Sequence, residues 1–144
     1  MSLDEFNYFI RITVRFADAD MMGHVNNAKY VTYLEEARIQ YARDVLGWQK
    51  TPRELGMILA RTEIDYLRPL MFGDTVRVYV RCSKIGRKSF ALRYVLVDDA
   101  SQEIVSNAMT AMVAFDYTQG VSVPVEQVWK DRILAYETTP PEMG

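Results

Sequence analysis

The segment "NAKYVTYLEEARIQYARDVL", residues 27–46, constrains the fold more than any other part of the chain. Its spacing predicts a helix from Asn27 to Leu46. Asn26 can cap the first turn, because its side-chain oxygen reaches an otherwise unpaired N–H. Gly47 can end the helix by turning left-handed. Twenty residues make a rod about 30 Å long. On a helical wheel, Tyr30, Tyr33, Leu34, Ala37, Tyr41 and Val45 form one apolar stripe, which Ala28, Val31, Ile39, Ala42 and Leu46 extend. Only Lys29, Thr32, Glu36, Gln40 and Arg43 make a clean polar strip. A helix apolar around so much of its girth must be enclosed by another layer. Glu35 and Arg38 fall inside the apolar arc, so they are expected to pair with each other or with the enclosing layer.

The enclosing layer is legible in period-two patterns. Residues 8–16, "YFIRITVRF", put Ile10, Ile12, Val14 and Phe16 on one face. After the helix comes the turn-rich "TPRELG", then strands at 57–68, 75–85, 89–97 and 103–117. In the second of these, Val76, Val78, Val80 and Cys82 share a face. Short turns predict antiparallel neighbours. "PVEQVWKDRILAYE" reads as a short helix near the end. The order predicts an α+β architecture in which an antiparallel sheet of about five strands wraps one long central helix. The chain reads as one domain over 1–144, with poorly ordered ends at 1–7 and 138–144.

Composition narrows the function. A net charge of −2 gives no electrostatic case for nucleic acid. No apolar run approaches the roughly 20 residues of a membrane span. The beginning, "MSLDEFNYFIR", lacks the basic and apolar regions of a secretion signal, so a cytoplasmic protein is expected. A single cysteine, Cys82, excludes an internal disulfide and a cysteine-based metal cluster.

The chemistry gathers in "FADADMMGHVNNAKYVTYLEEAR", Phe16 to Arg38. It holds the only histidine, His24, close to Asp18 and Asp20, with Gly23 and two asparagines beside it. Such a stretch can be a plain capped loop, since Asp and Asn favour turns. It can also be a site. A helix N-terminus presents unpaired N–H groups and partial positive charge, which polarise a carbonyl or hold an oxyanion. Gly23 lets the chain turn and a ligand approach the backbone. A carboxylate just before the helix could attack that carbonyl or activate a water. No serine, metal or cofactor is needed, and acyl transfer to water fits.

This stretch resembles the signature of hotdog-fold acyl-CoA thioesterases, in particular the 4-hydroxybenzoyl-CoA thioesterase-like family. The resemblance continues in "DYLRPLMFGDTVRV" (65–78) and "GRKSFALRY" (86–94), and covers about residues 10–116. It implies a hotdog fold and an acyl-CoA substrate. It implies Asp20 as nucleophile or general base, and the Asn27 N–H as the group that polarises the thioester carbonyl. Asp18 is then structural. His24 departs from the 4-hydroxybenzoyl-CoA prototype, which has an apolar residue there. "HVNN" is similar to members acting on fatty acyl-CoA, which gives His24 a supporting role. Arg87, Lys88 and Ser89 resemble the turn that meets coenzyme A phosphates. The family further implies a homodimer or homotetramer, with sites at the dimer interface and Asp20 facing Arg87 and Lys88 of a second copy.

Rival readings follow from the same residues. Glu35 is the alternative catalytic carboxylate, set against a structural Glu35–Arg38 pair. Cys82 is expected to be a buried, inert thiol rather than a partner of His24. A hotdog dehydratase or hydratase, or a non-catalytic acyl-binding module, would share the fold. No cofactor or metal is expected.

Overall fold

The computed structural model describes residues 3–48 and 56–144. Strand β1 (Tyr8–Thr13) leads through a loop to helix α1 (Asn27–Asp44). Then follow β2 (Met57–Tyr66), β3 (Thr75–Ile85), β4 (Ser89–Asp98), β5 (Ile104–Asp116), the short β6 (Val121–Ser122), α2 (Gln127–Tyr136) and the short β7 (Glu142–Met143). Apart from Gly56, the turn-rich connection expected at 51–56 lies outside the described residues.

The helix starts as expected. Asn26 is the cap, and its side chain accepts the Ala28 N–H at 2.9 Å. It ends two residues earlier than expected, at Asp44, and Gly47 takes a φ of 73° as the chain turns away. Tyr30, Tyr33, Leu34, Ala37, Arg38, Tyr41 and Ala42 are buried. Ala28, Val31 and Glu35 are exposed, because the sheet covers one side of the helix and not its whole girth. The predicted pair does form: Arg38 Nη2 lies 4.0 Å from Glu35 Oε2. The Arg38 guanidinium also donates to the Tyr94 hydroxyl at 3.4 Å.

The sheet runs in the order β1-β3-β4-β5-β2, with antiparallel pairing throughout that path. Val76, Val78, Val80 and Cys82 all face inward and are fully buried against α1. Phe16 does not continue the first strand. It is highly exposed and opens a 3-10 turn, Phe16–Asp18. One neighbour relation departs from the short-turn rule. β2 does not pair with β3 but sits at the far edge beside β5, while β3 lies between β1 and β4. The connection 67–74 therefore crosses the end of the sheet. It is held there by the loop before α1, through Val25 N–H to Leu70 O at 2.8 Å and Phe72 N–H to Gly23 O at 3.0 Å. That crossing builds the site.

The other end of the sheet is closed by the tail. β3 pairs with β1 up to Val80 and in parallel with β7 from Lys84, and Leu3–Glu5 forms a 3-10 turn ahead of β1. Between these pairings the Cys82 N–H would lack a partner. The buried Glu137 carboxylate accepts it at 2.8 Å and also accepts the Tyr41 hydroxyl at 2.6 Å. The result is a curled antiparallel sheet around one central helix, the hotdog fold.

Candidate active site

The two aspartates of the loop have opposite surroundings. Asp18 is buried. Its Oδ2 accepts the Tyr33 hydroxyl at 2.8 Å and the Arg15 N–H at 3.1 Å, with the Arg15 guanidinium 3.6 Å away. Burial pushes this carboxyl up, but the bonds from Tyr33 and Arg15 outweigh burial and hold it below the ordinary carboxylate value. Its backbone carbonyl accepts the Asn26 N–H at 2.9 Å, which ties the loop to the helix start. Asp18 is thus bound into the loop and the helix face rather than open to solvent.

Asp20 is exposed. Its Oδ1 accepts the N–H groups of Met22 at 2.8 Å and His24 at 3.2 Å. Its backbone closes a tight turn, with Asp20 N–H to His24 O at 2.7 Å and Gly23 N–H to Asp20 O at 3.0 Å. Gly23 sits at φ 81°, a conformation that side chains with a Cβ rarely adopt, and this lets the turn form. These bonds fix the carboxylate through one oxygen and leave the other for a ligand.

A cleft of about 410 Å³ opens beside it, within the size range of small-molecule sites. It is lined by Asp20, His24, Asn26 and Asn27 from the loop and helix start, by Tyr30 of α1, and by Tyr66, Arg68 and Pro69 from the end of β2 and the crossing that follows. Asn27 is the first helical residue, so its N–H has no acceptor one turn back and points out of the helix start. The Tyr66 hydroxyl donates to the Asn27 carbonyl at 3.2 Å, and its ring meets Tyr30 edge-on at 5.0 Å. Tyr66 and Arg68 escaped sequence reasoning as site residues. Tyr66 ends the edge strand β2, and Arg68 lies two residues beyond it, in the crossing 67–74 that passes the helix start. "DYLRP" marked the segment without marking its role.

The remaining candidates lie elsewhere within one chain. Glu35 is eight residues beyond Asn27, about 12 Å along the helix, and is not in the cleft. Arg87 and Lys88 lie in the exposed β3–β4 turn, and the exposed Ser89 opens β4. The Arg87 and Lys88 carbonyls accept the Val125 and Ala114 N–H groups at 2.9 Å each. Phe90 is level with Leu59 across β5, whereas Leu96 is level with Tyr66. Six strand residues separate those levels, so the turn sits about 20 Å along the sheet from the cleft. Cys82 is fully buried among Tyr41 and Glu137, far from His24. Burial pushes its thiol up to about 12. Among the described residues no three of His, Cys, Asp and Glu gather closely enough to hold a metal.

The chain matches the thioesterase-like superfamily over residues 14–133 and belongs to it. A solved thioesterase from Thermus thermophilus, complexed with coenzyme A and Zn, is 34% identical with a TM-score of 0.83, over 95% of this chain and 98% of that one. An uncharacterized protein of Bacillus subtilis (strain 168) is 31% identical over 129 residues, 90% of this chain and 86% of its own. The long-chain acyl-CoA thioesterase of Escherichia coli (strain K12) is 26% identical over 125 residues, 85% of this chain and 94% of its own. The enzyme class is therefore thioester hydrolase, and relatives that carry the name support acyl-CoA thioesterase activity.

Proposed function

We propose that this enzyme hydrolyses a fatty acyl-CoA to free acid and coenzyme A at the cleft beside Asp20. The observation that carries the reading is the meeting of a fixed carboxylate and an open helix N-terminus in one cleft. The thioester carbonyl oxygen accepts the Asn27 N–H, and the helix dipole stabilises the charge that grows on it. Asp20 Oδ2 acts as general base or as nucleophile. As base it takes a proton from water while the water oxygen adds to the carbonyl carbon. As nucleophile it adds directly, and water then cleaves the resulting anhydride. In both routes the C–S bond breaks and the thiolate leaves to be protonated. Gly23 lets the substrate approach the turn, and His24 supports it by orientation and hydrogen bonding.

The fatty rather than aromatic acyl group rests on His24 in "HVNN" and on the long-chain relative. Arg87, Lys88 and Ser89 contact coenzyme A phosphates from a second copy, since about 20 Å separates them from Asp20 within one chain. The exposed edge strand β2, with Leu59 and Tyr66 uncovered, is where two copies join their sheets. With acyl-CoA as substrate, the activity belongs in the cytoplasm.

The test is thiol release from a panel of acyl-CoA thioesters by wild type and Asp20→Asn. Asn keeps the Oδ1 acceptor for Met22 and His24, so the fold is expected to stay intact. Turnover is expected to fall roughly 10²- to 10⁴-fold. A fully active Asp20→Asn enzyme would overturn the assignment and return attention to Glu35.

A further inference from the structure

A hydrogen-bond donor that stabilises growing charge must be held still, since a displacement of about 1 Å costs on the order of a hundredfold in rate. Asn27 stands in the first turn of α1, where a helix holds itself least. The backbone around it is pinned from the loop side. The Asn26 N–H donates to Asp18 O at 2.9 Å, the Ala28 N–H to Asn26 Oδ1 at 2.9 Å and the Lys29 N–H to Asn26 O at 2.8 Å. Those bonds engage the neighbouring N–H groups and, among the described residues, leave that of Asn27 for a ligand. They fix the shape of the cap, but not where the helix start lies relative to the end of β2.

Tyr66 supplies that reference. It lies 39 residues further along the chain, and its hydroxyl donates to Asn27 O at 3.2 Å. Among the described residues this is the one hydrogen bond between β2 and α1. It grips the same Asn27–Ala28 peptide whose N–H Asn26 holds, so that peptide is bound at both ends. The Tyr66 ring meets the buried Tyr30 edge-on at 5.0 Å, which limits the travel of the hydroxyl. The loop bearing Asp20 is tied to the connection that follows Tyr66, through Phe72 N–H to Gly23 O at 3.0 Å and Val25 N–H to Leu70 O at 2.8 Å. Carboxylate and donor are thus held by one continuous stretch, residues 66–72. We propose that Tyr66 is a positioning residue: its hydroxyl holds the first peptide of α1 and so keeps the Asn27 N–H aimed at the thioester oxygen beside Asp20. This rests on the acyl-CoA reading above and deepens it.

Tyr117 provides a matched control at the other end of β2. Its hydroxyl donates to Met57 O at 3.2 Å, and it is 43% exposed against 45% for Tyr66. The experiment measures kcat, KM and melting temperature for wild type, Tyr66→Phe and Tyr117→Phe. The substrate is whichever of butanoyl-, hexadecanoyl- and benzoyl-CoA wild type cleaves fastest. Each variant keeps its ring and loses one hydroxyl. Both melting temperatures are expected to fall alike, by about 2–4 °C. In Tyr66→Phe, kcat is expected to fall about tenfold, part of the roughly hundredfold that a missing oxyanion donor costs, with KM within about threefold. Tyr117→Phe is expected to keep kcat within about twofold of wild type. A kcat for Tyr66→Phe that matches Tyr117→Phe would overturn the positioning role alone. So would a change confined to KM, which would make the hydroxyl a substrate contact. A change in mass by light scattering would overturn it too, by assigning the hydroxyl to an interface between copies. Absence of release from any of the three substrates by wild type would overturn the acyl-CoA reading, and the positioning role with it.

Discussion

Replacing Tyr33 with Phe would remove one hydroxyl, the one that donates to buried Asp18 at 2.8 Å. Asp18 would keep the Arg15 N–H at 3.1 Å and the Arg15 guanidinium at 3.6 Å, but that guanidinium is mostly exposed. A hydrogen bond to a charged group contributes about 1.5–3 kcal/mol, and the buried position argues for the middle of that range, about 2 kcal/mol. For a chain of this size that corresponds to a Tm drop of about 4–8 °C. The loss must also depend on pH. Asp18 is held below its ordinary value, so its ionised form contributes stability above about pH 4, and that contribution is lost as pH falls through the lowered folded value. In Tyr33→Phe the folded value moves back towards the ordinary one. The gap between wild type and variant is therefore full near neutrality. It narrows on acidification towards the roughly 1 kcal/mol of a neutral hydrogen bond. Thermal melts followed by circular dichroism at pH 7 and pH 3 would check this. An unchanged Tm at pH 7, or a gap that widens at pH 3, would refute the role given to Asp18.

Asn26→Ala removes the side-chain acceptor of the Ala28 N–H and is expected to cost about 1 kcal/mol in denaturant melts, with slower thiol release because the helix start loosens. Glu137→Gln keeps an acceptor for Tyr41 and Cys82. Burial raises the Glu137 carboxyl above its ordinary 4.5, outweighing the bonds from Tyr41 and Cys82. Wild type therefore loses stability relative to the Gln variant as pH rises above about 4.5, which Tm values from pH 4 to 8 would show. Cys82 is expected to resist a thiol-specific disulfide reagent at pH 8 in the native protein and to react fully in denaturant. Rapid native labelling would contradict its burial and raised thiol value.

Much of this molecule was legible in local pattern. The boundaries of β3 match the alternation of valines, because side chains on alternate faces leave a period-two record in any stretch that pairs. The start of α1 was legible because a cap acts within three residues of itself. That Asp18 is structural was drawn from a family signature, and the bonds from Tyr33 and Arg15 are what hold it in place. Less legible was how much of α1 stays covered. Val31 and Glu35 lie on the wheel's apolar arc, yet one sheet hides only one side of a cylinder.

Sequence by itself determined a capped, mostly apolar helix, a set of antiparallel strands to cover it, and a carboxylate beside the helix's open end. All of these leave a local record, in a cap or a periodic pattern spanning a few positions. Only the tertiary structure decided that β2 leaves its sequence neighbour β3 for the far side of β5. Only it decided that Tyr66 and Arg68 thereby close the cleft, and that Glu137 fills the gap in β3's pairing. Those outcomes depend on contacts between residues some 40 to 60 positions apart. A periodic pattern states which face a residue presents, and strand order depends on which distant face is there to receive it.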